Sequence, residues 1–101
     1  MKFEIDKQED KTIFKLEAKS LDQSIAAQLK TELVFLQKEI TNQFIIDLKD
    51  VTKCDSSGLS VLLFSERIER DKNRKLMLIN VNKNVEDLMK IARLDRVFEI
   101  K

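Results

Sequence analysis

The apolar positions change their period along the chain, and each change marks an element. Phe3 and Ile5 alternate with Lys2, Glu4 and Asp6, the period of a half-buried strand. Lys7 to Lys11 is wholly polar and reads as a hairpin turn. Thr12 to Ala18 alternates again, with Phe14, Leu16 and Ala18 on one face and Lys15 and Glu17 on the other. The period then changes. Ile25, Leu29, Leu33, Leu36 and Ile40 form one stripe of a helix from about Asp22 to Glu39. Its start carries two signals, a Ser20–Gln23 capping box and Asp22 as an N-cap in its own right.

Phe44 to Leu48 is the most continuous apolar run and reads as a central strand covered on both faces. A mixed connection follows, in which Val51 turns inward. A second helix runs from about Ser56 to Arg70, and its apolar residues spread over more than one stripe. Such a spread implies heavy burial or a face left for a partner. After the charged turn Asp71–Arg74, Lys75 to Val81 is another strand, and Asn82-Lys83-Asn84 opens a third helix. Val97 to Ile100 is a last short strand or a docked tail. The order is β-β-α-β-α-β-α-β, which predicts an α/β fold: one domain over residues 1–101, with a mixed sheet and helices packed against it.

Composition narrows the function. The chain is 43% apolar and 37% charged, which suits a folded domain rich in surface charge. Its 19 basic and 18 acidic residues nearly cancel, so no basic excess points to nucleic acid. No apolar run reaches the about 18–20 residues of a membrane span. The acidic, alternating N-terminus is unlike a signal peptide, and a single cysteine forms no internal disulfide; the expected compartment is the cytoplasm. There is no histidine, which removes Ser-His and Cys-His nucleophiles and, with one cysteine, leaves no zinc ligand set. Neither a Gly-x-Ser-x-Gly elbow nor a Gly-Lys-Ser/Thr phosphate loop is present. A non-enzymatic protein with no metal and no cofactor is expected.

The remaining chemistry gathers at Cys54-Asp55-Ser56-Ser57-Gly58-Leu59, between the apolar strand and the second helix. Gly58 is the only glycine and Cys54 the only cysteine. The first turn of a helix has unpaired N–H groups and the positive end of the dipole, so a phosphate added to a serine there need not unfold the helix. Gly58, lacking a side chain, leaves room for a partner to approach. The plainer alternatives are that these serines only hydrogen-bond the backbone, that Asp55 is an N-cap, and that Cys54 is a small buried residue.

This string, preceded by Ile45-Ile46-Asp47-Leu48 and an inward valine, resembles the STAS domain of anti-sigma factor antagonists, and the order of elements agrees over the whole chain. Where members of that family often carry a glycine before the first-helix aspartate, this chain has Ala18-Lys19. The resemblance implies that Ser57 is the phosphoacceptor and that Asp22, Asp55, Ser56 and Gly58 belong to the partner-binding site. It implies an anti-sigma factor that is also a serine kinase as partner, and a serine phosphatase that resets the switch. Unphosphorylated protein would bind the anti-sigma factor and phosphorylation would end the binding. The alternative within the same fold is a non-switching structural subunit of a signalling or lipid-transport assembly.

Overall fold

The computed structural model describes residues 1–101. Two antiparallel strands, β1 (Phe3–Lys7) and β2 (Lys11–Leu16), form the expected hairpin, closed by Gln8 N–H donating to the Lys11 carbonyl. Beyond them lie β3 (Ser20–Leu21), α1 (Gln23–Glu39), β4 (Gln43–Asp47), β5 (Lys53–Cys54), α2 (Ser56–Asp71), β6 (Met77–Ile79), α3 (Lys83–Ile91) and β7 (Glu99–Ile100). The main sheet has the order β1-β2-β4-β6-β7, with every pair after the first parallel.

This order explains where the core sits. Right-handed crossovers that step the same way along a sheet lay their helices on the same face. Phe14, Ile46 and Leu78 are in register across β2, β4 and β6, and all belong to one apolar cluster. Leu29, Leu33 and Leu36 of α1, Leu59 and Leu62 of α2, and Val85 and Met89 of α3 belong to the same cluster. The β4 run is central, as its composition suggested, but it is covered by helices on one face alone. On the other face Ile45 is only 5% exposed and stands outside the cluster, screened by its register partners Ile13 and Met77. The continuous apolar run thus reflects neighbouring strands as well as helices.

Three other details differ from the sequence reading. Ser20 does not take part in a capping box, because it lies in β3, and Asp22 is the cap. The Lys75–Val81 run gives only three strand residues, since Asn80 adopts φ 57°, a left-handed conformation that asparagine tolerates. Helix α2 is deeply buried and leaves no bare apolar stripe at Phe64, where the Lys30 ammonium of α1 sits 4.2 Å from the ring centre. No helix is long and apolar enough to cross a membrane.

Candidate functional site

The site is built by two short strands that the sequence does not announce. After leaving the main sheet, the β2 and β4 segments continue side by side as β3 and β5, a parallel pair in which Ser20 faces Lys53 and Leu21 faces Cys54. The next residues, Asp22 and Asp55, are therefore neighbours, and each is extended and ends its strand as a helix N-cap. Two helix starts meet at one corner, and their dipoles present positive ends there together.

The carboxylates divide the first-turn amides between them. Asp22 Oδ1 accepts from the Ser24 N–H at 3.0 Å and from the Ser24 hydroxyl at 2.5 Å. Asp55 Oδ1 accepts from the Gly58 N–H of its own helix at 2.9 Å. Asp55 Oδ2 reaches across and accepts from the Gln23 N–H, the first residue of α1, at 3.2 Å. Asp55 also donates its own N–H to the Leu21 carbonyl at 3.2 Å.

Gly58 is buried, and its room is already occupied. A Cβ there would overlap the Leu21 carbonyl oxygen and lie 2.7 Å from Leu21 Cγ. The space expected for a partner is thus filled by β3. Gly58 is required because α2 starts directly against the neighbouring strand, and its φ is not positive. Ser56 is exposed and stands at the first helical position, so it is not the cap; its carbonyl accepts from the Ser60 hydroxyl at 2.9 Å. Ser57 is half-buried at the second position of the helix.

The Cys54 thiol is raised from 9.0 to about 11, first because burial disfavours the thiolate and then because the Asp55 and Asp22 charges oppose it. No group of three His, Cys, Asp or Glu side chains converges to hold a metal ion. A shallow cleft of about 260 Å³, lined by Glu17, Ala18, Lys19 and Asp50, lies where the chain enters β3 and β5.

The family model of the Mlab, STAS domain matches residues 5–100. This chain belongs to the STAS domain family. Solved structures agree on the fold. A protein of Thermotoga maritima described as an anti-sigma factor antagonist is 24% identical, with a TM-score of 0.84, covering 97% of this chain and 84% of that one. The phosphorylated form of the Bacillus cell-fate determinant SpoIIAA is 15% identical, with a TM-score of 0.73 over 99% of this chain and 91% of that one. The murine anion transporter Slc26a9 is also similar, at 14% identity and a TM-score of 0.70. There the match covers 80% of this chain but 13% of the transporter.

All five residues singled out in the STAS motif and at the first helix fall at this one corner. Asp55 and Ser56 are exposed, Asp22 and Ser57 are half-buried, and Gly58 is buried. Leu21, Gln23 and Ser24 also belong to the corner: the sequence reading places Gln23 at the helix start but assigns none of the three to the site. A signal for them was present: Leu21-Asp22-Gln23-Ser24 and Cys54-Asp55-Ser56-Ser57 have the same apolar-Asp-polar-Ser spacing, and they occupy equivalent positions in the parallel pair.

Proposed function

We propose that this STAS domain is an anti-sigma factor antagonist that works by partner switching. In the unphosphorylated state it binds an anti-sigma factor that is also a serine kinase, through a surface around Asp22, Asp55, Ser56 and Ser57. Phosphorylation of Ser57 ends the binding, and a serine phosphatase restores it. The protein acts in the cytoplasm without a cofactor, as a binding module and not as an enzyme.

The observation that carries this reading is the placement of Ser57. It lies on the first turn of α2, where backbone amides can receive a phosphate, yet two residues after the Asp55 N-cap, whose carboxylate a phosphate would repel. The added charge of roughly −1.5 to −2 is accommodated by the helix but changes the surface offered to a partner. A coupling of about 1–3 kcal/mol corresponds to an affinity change of about 5–150-fold. Ser57→Asp is expected to weaken binding to the purified cognate kinase within that range, while the far-ultraviolet circular dichroism stays that of the parent. Unchanged affinity would remove Ser57 from the interface. Phosphopeptide mass spectrometry of the protein from its native host tests the modification itself.

A second reading follows from the similarity to a transporter's STAS region and from the Mlab family name. The domain would then be a permanent subunit of a signalling or lipid-transport assembly. Stoichiometric co-purification with a partner that survives Ser57→Asp selects this reading over the first.

A further inference from the structure

We infer that Asp55 is a positioning residue that carries the state of Ser57 to helix α1. The inference rests on the proposed modification of Ser57 for its biological trigger, but its physical content concerns this chain alone. The Asp55 carboxylate is shared between two helices. One oxygen holds the Gly58 N–H of α2 and the other holds the Gln23 N–H of α1. The two bonds differ in how they are backed. The link to Gly58 closes a turn of its own helix and sits over the packed Leu21–Gly58 contact. The link to Gln23 is exposed, longer, and spans residues 32 positions apart in sequence.

An anion on Ser57 acts on both bonds. It lies in the same first turn as Gly58 and so offers phosphate oxygens to the amides that Asp55 now caps. It also repels the Asp55 carboxylate. The bond with less support gives way first, and that bond is the one to α1. Asp22 does not replace it, since an N-cap side chain reaches the second or third amide of its helix, here Ser24, and not the first, Gln23. Modification of α2 therefore loosens the start of α1, and the switched surface includes Gln23 and Ser24 as well as Ser56 and Ser57.

Substitution by asparagine isolates the effect. Asparagine is as good an N-cap as aspartate, so its oxygen keeps the Gly58 bond. Its amide nitrogen has no lone pair for the Gln23 N–H. Asp55→Ser, which also caps with a single oxygen, serves as the second variant should Asp55→Asn fold poorly.

The experiment is amide hydrogen exchange by NMR on the full ¹⁵N-labelled chain, in the parent, Ser57→Glu, Asp55→Asn and the double variant. Amides of β4 report on global opening. Loss of one exposed hydrogen bond is expected to speed Gln23 exchange roughly fivefold in Ser57→Glu and in Asp55→Asn, with β4 unchanged. In the double variant no further acceleration is expected, because the link is already absent. A Gln23 amide that does not respond to Ser57→Glu, or accelerations that multiply in the double variant, overturns the inference. The outcome is independent of the binding assay. A Gln23 response with unchanged kinase affinity defeats the antagonist reading and leaves the link standing, whereas lost affinity with a silent Gln23 does the reverse.

Discussion

Helices α1 and α2 lie side by side with their starts together and their ends together, and the two ends of the pair are joined in opposite ways. At the starts, one exposed carboxylate bridges the helices through a single amide of α1. At the ends, the joint is a buried polar network. Gln37 of α1 donates to the Ser65 carbonyl at 3.0 Å and to Glu69 Oε2 at 2.9 Å, and the Ser65 hydroxyl returns a bond to Gln37 Oε1 at 2.7 Å. Arg74 donates Nε to Glu69 Oε1 at 3.2 Å and Nη1 to the Thr41 carbonyl at 3.0 Å. Lys72 donates to the Gln37 carbonyl among the unpaired carbonyls at the end of α1. Every buried side-chain polar atom is satisfied. Both ends use bonds to a carboxylate, but the one at the starts is single and faces water, whereas those at the ends are several and centre on the fully buried Glu69. The difference teaches where the pair can respond. Its ends are anchored and its starts are held lightly, so a charge added at the starts can shift them without unfolding the domain.

Removing the anchor is the largest way to break this contrast. Glu69→Ala leaves Gln37 without its carboxylate partner and Arg74 without its ion pair, in a place where Glu69 is 0% exposed. The expected loss is about 3–5 kcal/mol in urea unfolding, the size seen when one partner of a buried pair is removed. A loss below about 1 kcal/mol would mean that the two ends are held equally weakly.

Next in size is Gly58→Ala, which drives a methyl group into the Leu21 backbone. Overpacking costs about 1–3 kcal/mol, and the better helix propensity of alanine, about 1 kcal/mol, offsets only part of it. Thermal unfolding measures the net effect, which is expected to be destabilising. A variant as stable as the parent would show that β3 can move away from α2 freely.

The smallest effect sharpens the electrostatic side. The Cys54 thiol titrates at about 11, chiefly through burial and secondarily through Asp55 and Asp22. Both causes disfavour the thiolate, so iodoacetamide labelling is expected to be slow at pH 8 and to accelerate as pH rises toward 11. Asp55→Asn removes only the Asp55 charge and leaves burial and Asp22 in place, so labelling at pH 8 is expected to rise severalfold and by less than tenfold, which is one pKa unit. A larger rise would make charge, and not burial, the dominant influence at the corner.

Much of this architecture was legible because it is local. Asp22 and Asp55 announce their helix starts by residue type, and the Leu29–Leu33–Leu36 stripe announces the buried face of α1. What was not legible depends on which segments become neighbours. Strands β3 and β5 are two residues each, too short to show a period, and exist because each pairs with the other. The single helical layer follows from the strand order, which no periodicity encodes. The continuous run in β4 could not distinguish cover by helices from cover by Ile13 and Met77. Gly58 was identified as special, but its reason lay in Leu21, 37 residues earlier in the chain by the difference of the two numbers.

That contact divides the authorship of the motif. Gly58 and the capping oxygen of Asp55 answer to the chain's own backbone, whereas the Ser56 side chain stands exposed and that of Ser57 half-buried. A descendant of this domain under no demand at 56 and 57 would be free to drift there. It would still inherit the aspartate and the glycine, as long as α2 began against the same strand.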